Sequence, residues 1–384
     1  MEVSVNETRD ARLGALGFDV GRQHLAREYK GKRLALAGVR VAVYVAISAW
    51  LLAGFTHTVK GWASVFGPGL PQYALYTTAL YFLYWIPVIP LGVLGGVVLE
   101  RKYGMSVQGL RSWLRDAAKS LAIGLGFSIL AVEVVYAILA AQPDTWWLYV
   151  WAIGWAVGLA LAWVGPVLLA PLFHRFEPLD DEALAARLKA LADRTGTQVV
   201  GVYRMLASAK TTRAFGGLAG IGRTRRIILS DTLLDRYSPD EVEAVIAHEF
   251  GHHVHGDLAR LMVAGASGSL LGLLAVDRIL RAAVPALRLD GIADIAGLPL
   301  VALAIAAVST VVAPALNALS RRREAKADAF SLRMTGNHDA FRSAMVKIHD
   351  QNLGVADPHP LAELLFHDHP SGRRRIEAAV RTRP

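Results

Sequence analysis

The stretch His248-Glu249-Phe250-Gly251-His252 places two imidazoles four residues apart in a chain of 384 residues. On a helix this spacing is about one turn, so both rings face the same way and could hold one zinc ion. Glu249 between them is placed to accept a proton beside the metal. Because three fixed positions also coincide by chance, the rest of the sequence has to supply a further ligand and a setting for the pair.

The amino-acid composition indicates a membrane protein. Hydrophobic residues make up 54% of the chain and charged residues 19%, and the mean hydropathy is +0.36. This composition is more apolar than that of an ordinary soluble protein of this size. Cysteine is absent, so disulfides and thiolate metal sites are excluded, and a transition metal must be bound by His, Asp or Glu.

The net charge of +9 is explained by membrane topology. No motif for binding RNA or DNA accompanies it, so we expect no nucleic-acid partner. Lys and Arg cluster before the first apolar run, between the second and third, and after the sixth, and such flanks are typically cytosolic. We expect an integral protein of the bilayer, in the inner or plasma membrane of a bacterium or the endoplasmic reticulum of a eukaryote.

Six apolar runs approach or exceed the ~20 residues that a helix needs to cross a bilayer. They are Leu34 to Phe55, Tyr73 to Leu99, Leu121 to Ala141, Trp146 to Phe173, Leu261 to Leu280 and Ile292 to Leu316. The chain therefore divides into a cytosolic arm (1–33), four membrane helices (34–173), a polar unit (174–260), two further membrane helices (261–316) and a C-terminal segment (317–384). Counting spans from a cytosolic N-terminus places both later polar segments in the cytosol.

The polar unit reads as a small α+β fold. An amphipathic helix is expected over residues 180–195, and β-branched stretches at 198–205 and 225–229 predict two short strands, joined by a glycine-rich connection from Gly216 to Gly222. Ser238 followed by Glu241 forms a capping box, which starts the helix that carries the His pair. The fold class is thus a polytopic helical membrane protein with an inserted α+β unit.

A catalytic zinc site normally has three protein ligands, and Glu324 is the best third candidate. It follows the sixth apolar run, and Asp328 lies one turn further on the same helix face, where it could accept the free ring N–H of a liganding His. Taken alone, this Arg-rich segment would read as a solvated helix with internal ion pairs. His253, His255 and Asp257 fit better as polar residues at the helix end than as ligands.

With these residues in place, the chain resembles the type I CAAX prenyl proteases, integral-membrane zinc metallopeptidases of the gluzincin kind. The resemblance extends from about Glu100 to Ile376. It is carried by the two metal motifs and by Tyr103-Gly104-Met105-Ser106 with Gln108, Trp113, Asp116 and Lys119, by Pro171-Leu172-Phe173 with Phe176, Pro178 and Leu179, by Arg223 to Arg226 with Asp231 to Leu234, and by His369-Pro370 with Arg375-Ile376.

The resemblance implies one zinc ion per chain, bound by His248, His252 and Glu324, with Glu249 as general base. It also implies a cage of membrane helices around an internal space, which Glu133 would line unless it is neutral or ion-paired. His369 and Arg375 match residues that hold the substrate or the tetrahedral intermediate, where a donor or cation suits the developing oxyanion.

One departure from the family pattern concerns the substrate strand. The family usually has Asn-Ala-aromatic where this sequence has Phe215-Gly216-Gly217, so an Asn side chain near the scissile carbonyl is missing. Backbone pairing with the substrate by strand addition uses main-chain groups and can survive the change. We therefore expect Phe215, Gly216 and Gly217 to bind substrate, with altered specificity.

These features predict a membrane-embedded zinc metalloendopeptidase that opens toward the cytosol. Its substrate would be a peptide or membrane protein, and a prenylated C-terminus is one candidate. A quality-control protease of the related HtpX type is the nearest alternative, although the four apolar runs before the His pair favour the CAAX type. A transporter or scaffold with a structural metal would have no use for Glu249 beside an open metal position.

Overall fold

The computed structural model describes residues 2–220 and 222–381, without the side chains of residues 2–6, 167 and 223. Three parts of the predictions above therefore lie outside the described residues. They are residue 1 of the N-terminal arm, residue 221 of the glycine-rich connection and residues 382–384 of the C-terminal segment.

Within the described ranges, six helical segments are long and apolar enough to cross a membrane. They are Val20–Phe66, Leu70–Lys102, Leu110–Ala141, Trp146–Pro166, Asp257–Ala283 and Ile295–Thr335. The prediction of a polytopic helical membrane protein is thus confirmed. Several segments extend beyond the apolar runs, because the helices continue into polar sequence on one side.

The regular elements follow one another in a simple order along the chain. The helices up to the polar unit are α1 (Glu2–Ala15), α2 (Val20–Trp50), α3 (Thr56–Ala63), α4 (Leu70–Trp85), α5 (Ile89–Val93), α6 (Glu100–Lys102), α7 (Leu110–Ala141) and α8 (Trp146–Leu168). The polar unit contains β1 (Phe176–Pro178), α9 (Glu182–Arg194), β2 (Val202–Met205), β3 (Gly216–Ala219), β4 (Arg226–Ser230), α10 (Asp231–Leu234) and α11 (Pro239–Val254). The chain continues with α12 (Asp257–Ala283), α13 (Leu298–Thr335), α14 (His338–Asn352), α15 (Pro360–Phe366) and α16 (Gly372–Arg381).

The predicted N-terminal arm is helical. The side chain of Asp19 caps α2 by accepting the N–H of Arg22, and α2 then runs into the first apolar run, so residues 33 and 34 lie within one helix. Leu13 and Phe18 are buried against Phe341 and Ile376. The start of the chain is therefore packed onto the C-terminal helices that flank the metal motifs.

Helix α13 joins the membrane region to the third-ligand motif. It is a single helix of 38 residues that ends at Gly336, which adopts the left-handed conformation with φ 62°. The predicted boundary between residues 316 and 317 falls inside it, since the helix does not end where the apolar run ends. Glu324 and Asp328 are therefore positioned by the last membrane helix itself.

The polar unit contains a sheet of four strands among the described residues, in the order β1-β2-β4-β3. Strands β2 and β4 are parallel, and the two outer pairs are antiparallel. The predicted strand pair is thus incomplete. Phe176–Pro178 was not expected, and the connection predicted from Gly216 onward begins with a strand, because pairing with β4 overrides the weak strand propensity of glycine.

The core of the polar unit lies between the sheet, α9 and α11. Leu188, Ile246 and Phe250 are fully buried there with Ile227 and Leu229 of β4. Burial of each such side chain contributes about 1.5–3 kcal/mol to folding. Because this core fixes one side of α11, the opposite side is left to carry the His pair.

Two cavities lie beside α2. One of about 880 Å³ reaches from Arg9 and Arg27 to His369, and one of about 670 Å³ lies between α2, α4, α5 and α7. Glu133 is half-buried on α7 and lines neither of these cavities.

Candidate metal centre

Helix α11 presents the two His rings to one point. Its start is fixed by the capping box, in which Ser238 accepts the N–H of Glu241 and the Glu241 side chain accepts the N–H of Ser238. The rings of His248 and His252 are one turn apart, with centroids separated by 4.8 Å and planes at 88°. The predicted helix is therefore present, with both rings on the side turned away from the core.

Glu324 of α13 lies between the two rings. Its Oε2 is 3.3 Å from His248 Nε2, and its Oε1 is 3.1 Å from His252 Nε2. One ligand atom from each of the three residues fits within 4.8 Å of the others. Glu324 is 4% exposed, and its buried Oε2 has no hydrogen-bond partner.

This donor set fits a zinc ion. Two imidazole nitrogens and a carboxylate are a usual ligand set of catalytic zinc, which leaves one position open. The unpartnered Glu324 Oε2 supports the fit, because a buried carboxylate oxygen without a partner is costly unless a cation satisfies it.

A second carboxylate holds each ring from behind. His248 Nδ1 is 2.9 Å from Asp328 Oδ1, and His252 Nδ1 is 3.1 Å from Asp257 Oδ2. A hydrogen bond at Nδ1 fixes the tautomer that leaves Nε2 free to bind a metal. Asp328 thus lies behind His248. Asp257 is the first residue of α12, a polar residue at a helix end, and it contacts His252 across the turn at Gly256, a contact that the sequence did not predict.

The carboxylates control the protonation of both rings. Burial lowers the pKa of His248, but the adjacent carboxylates of Asp328 and Glu324 outweigh it and raise the pKa to about 9. For His252, burial is likewise outweighed, chiefly by Glu324, and the pKa is raised. At neutral pH, a metal that binds here must therefore displace a proton from His248.

Glu249 faces the sheet edge beside the metal ligands. Burial raises its pKa above that of an ordinary carboxyl group, against the effect of the neighbouring His248 and His252. A Cβ atom built on Gly217 of β3 would lie 3.7 Å from Glu249 Oε2. The carboxylate thus lies close to the edge strand and interacts electrostatically with His248, His252 and Glu324.

The C-terminal residues reach the site from two sides. The guanidinium of Arg375 donates from Nε and Nη2 to the two oxygens of Asp328, at 2.9 and 2.5 Å, and is buried behind His248. His369 is more exposed, with its Nε2 3.2 Å from Glu324 Oε1 and its Nδ1 2.8 Å from Asp368 Oδ1. His369 therefore lies beside the ligands, and Arg375 lies behind them.

Strand β3 forms an open edge of the sheet next to Glu249. Ser230 N–H donates to Phe215 O, and Gly217 is paired with Ile228. Because hydrogen-bonded pairs alternate in an antiparallel ladder, the main-chain groups of Gly216 and Leu218 point away from β4, toward the open edge. Phe215, Gly216 and Gly217 thus lie where the resemblance implies a substrate strand.

A further residue at this edge was missed by the sequence analysis. The Asn352 side chain of α14 donates to Ala214 O at 3.0 Å and accepts from Ala214 N–H at 2.8 Å. It fixes the backbone just before β3. A single Asn more than a hundred residues away gives no sequence signal for this contact.

Comparison with known proteins agrees with this arrangement. Residues 178–383 match the model of peptidase family M48, and residues 22–175 match the model of the CAAX prenyl protease N-terminal region, described as five membrane helices. The crystal structure of S. mikatae Ste24p has the same fold, with a TM-score of 0.83 and 21% sequence identity, covering 94% of this chain and 89% of that chain.

Two curated relatives share less of their length. The chain is 30% identical over 268 residues to the uncharacterized metalloprotease YhfN of Bacillus subtilis, covering 67% of this chain and 62% of that protein. It is 28% identical over 176 residues to CAAX prenyl protease 1 of Saccharomyces cerevisiae, covering 46% of this chain and 39% of that protein. The matched region thus spans less than two thirds of either relative. The two family matches and the shared fold confirm the resemblance stated above: the chain belongs to peptidase family M48, with the membrane region of the CAAX prenyl proteases.

Proposed function

We propose that this chain is a membrane-embedded zinc metalloendopeptidase that hydrolyses peptide bonds. One observation carries the proposal: Glu249 lies next to an open strand edge and interacts with His248, His252 and Glu324, which converge as a metal site would require. A peptide that adds to this edge would have its backbone beside both the ligands and the carboxylate.

His248, His252 and Glu324 would hold one zinc ion per chain. When bound, zinc would supply a Lewis acid at the open position of the site. Asp328 and Asp257 would keep the two rings in the ligating tautomer. Arg375 acts through Asp328, to which it is bonded twice, so it is a positioning residue in this proposal and does not itself touch the substrate.

Glu249 would act as the general base. Its carboxylate would take a proton from the attacking water and pass it to the leaving amine nitrogen. The raised pKa of Glu249 suits this role, because a more basic carboxylate accepts the proton more readily and can still release it. His369, half exposed beside Glu324, would donate a hydrogen bond to the developing oxyanion.

The substrate would be a peptide or a membrane protein that reaches the site from the bilayer. CAAX prenyl protease 1 is the name of several relatives, so a prenylated C-terminus is one candidate substrate. The match of residues 22–175 to the CAAX prenyl protease membrane region favours this type over the HtpX type. The distribution of Lys and Arg supports a site that opens toward the cytosol.

The deciding experiment is cleavage by the purified full chain and its Glu249→Gln variant in liposomes, with zinc content measured in parallel. The peptides are a matched pair, prenylated and unprenylated. We expect the variant to keep its zinc and to lose cleavage, because the amide cannot accept the proton. Glu243→Gln is the control, since Glu243 lies on the same helix but pairs with Arg187, away from the metal ligands.

The outcomes separate chemistry from specificity. Cleavage that persists in Glu249→Gln at the wild-type rate would refute the proposed base. Equal cleavage of both peptides by the wild type would show that prenylation is not required, and the proposed peptidase activity would stand.

A further inference from the structure

A second candidate site lies in the membrane region, in a cavity that does not include the three candidate metal ligands and that shares Arg33 with the cavity reaching His369. The cavity of about 670 Å³ between α2, α4, α5 and α7 has a size typical of small-ligand sites. Its walls combine the aromatic side chains of Tyr44, Tyr81, Trp85 and Trp113 with several glycine and alanine residues.

Arg40 lines this cavity at a depth where a charge is costly. It lies six residues inside the apolar run that begins at Leu34, about 9 Å along the helix axis. Arg40 is exposed and lines the cavity. Among the residues that the structure describes, it has no hydrogen bond or ion pair, and an ionised side chain at such a depth usually faces a partner or a functional cavity.

Arg33 lies two turns before Arg40 on the same face of α2 and lines the same cavity. It shares the carboxylate of Glu100 with Arg213, at 3.0 and 2.9 Å. Two guanidinium groups are thus balanced by one carboxylate, and Arg40 adds a third positive charge nearby. The mouth of the cavity therefore has an excess of positive charge that the described side chains do not neutralise.

The inner part of the cavity is apolar and shaped by glycine. Trp113 lies so close to Gly96 that a Cβ there would be 2.5 Å from the indole Nε1, and a Cβ on Gly95 would contact Leu36 at 3.5 Å. The absence of side chains at these positions lets Trp113 and Leu36 pack against the helix, and these apolar side chains line the inner part of the cavity. A cationic mouth with an apolar inner part below it matches an amphiphile that has an anionic head and a hydrocarbon tail.

We infer that this cavity binds an anionic phospholipid, with its phosphate between Arg33 and Arg40 and an acyl chain in the apolar inner part of the cavity. Guanidinium groups suit phosphate oxygens because they donate two parallel hydrogen bonds. The inference concerns binding alone and holds whether or not the proposed peptidase activity is correct.

The experiment uses the full chain in detergent micelles, titrated with phosphatidylglycerol or with phosphatidylcholine of the same acyl chains, and counts bound lipids by native mass spectrometry. We expect the wild type to retain phosphatidylglycerol preferentially. Arg40→Gln should weaken that binding by about tenfold or more, as loss of a charged hydrogen bond does, and Arg40→Lys should restore part of it.

Two further variants keep the test specific. Arg111→Gln is the matched control, because Arg111 is exposed on α7, is not among the residues that line the cavity and should bind as wild type. Gly95→Leu adds a bulky side chain beside Leu36 in the cavity while it leaves both arginines in place, and it should weaken retention of the lipid.

Four results would overturn the inference. They are equal retention of both lipids by the wild type, equal loss in Arg40→Gln and Arg111→Gln, release of the lipid by inorganic phosphate alone at millimolar concentration, and competitive release by a peptide that the enzyme cleaves. The last result would assign the cavity to the substrate.

Discussion

The two His rings of the metal centre are held by carboxylates in different ways. On the Arg375 side, defined as His248, Asp328 and Arg375, the carboxylate accepts two hydrogen bonds from a guanidinium, and all three side chains are at most 10% exposed. On the Asp257 side, defined as His252 and Asp257, the ring is 27% exposed, Asp257 Oδ1 has no hydrogen bond, and the nearest guanidinium nitrogen, of Arg323, is 3.7 Å away.

This difference separates two tasks that a carboxylate behind a metal ligand can perform. Both Asp328 and Asp257 orient a ring, but Asp328 also neutralises a buried cation. Loss of charge at Asp328 should therefore affect folding and metal binding together, whereas the same change at Asp257 should affect metal binding alone. Three predictions test this distinction.

Asp328→Asn should have the largest effect. It leaves the Arg375 guanidinium buried without its partner, and breaking a buried ion pair in this way costs about 3–5 kcal/mol of stability. Metal affinity should fall by about 10- to 100-fold, as it does when the partner of a liganding His is lost. Thermal unfolding in detergent and competitive zinc titration measure the two effects.

The double variant Asp328→Asn/Arg375→Gln is the control for charge balance. It should recover part of the lost stability, because no unpaired charge remains buried, but not the metal affinity. Unchanged unfolding of Asp328→Asn alone would contradict the assigned role of this ion pair.

The second prediction concerns pH and the Arg375 side. The pKa of His248, raised to about 9 in the metal-free protein, means that the ring carries a proton at pH 7 that zinc must displace. Apparent zinc affinity should therefore increase from pH 6 to about 9, by at most about tenfold per unit for this proton, and level off above it.

Zinc titrations at stepped pH measure this dependence. In Asp328→Asn the levelling-off should begin at lower pH, because the hydrogen bond that raises the pKa of His248 is weakened. A wild-type affinity that does not change between pH 7 and 9 would show that His248 is already neutral in this range.

Asp257→Asn should have the smallest effect. The amide oxygen can still accept the His252 N–H, and no guanidinium loses a hydrogen bond, so the unfolding temperature should stay close to that of the wild type. Zinc affinity should fall by about tenfold, at the low end for this kind of change. A loss of stability as large as that of Asp328→Asn would remove the distinction between the two sides.

The sequence predicted the metal centre better than its surroundings. The spacing of His248, Glu249 and His252 follows from helix geometry, and Glu324 with Asp328 follows from the same periodicity. Asp257 could not be assigned in this way, because its contact with His252 depends on the turn at Gly256, where φ is 61°. Asn352 reaches Ala214 only through the packing of α14, which no local pattern encodes.

The fold shows a similar division. Hydropathy located the six membrane-spanning segments. It could not show that α2 and α13 continue as helices beyond them, because hydropathy indicates whether a segment prefers lipid or water and not where its backbone stops being helical. Gly216–Ala219 became a strand through its partner β4, against its own propensity. Elements defined by their own side chains were thus predictable, and those defined by their neighbours were not.

The unbroken course of α13 makes the metal centre mechanically dependent on the bilayer. Pro314 interrupts the hydrogen bonding of this helix within the membrane half, and Glu324 follows ten residues later, about 15 Å along the axis. A helix can tilt by a few degrees to match a thinner or thicker membrane. Over the roughly 15 Å between Pro314 and Glu324, such a tilt would move the Glu324 carboxylate by about 1 Å. The distances between Glu324 and the two His rings would then depend on the thickness of the membrane.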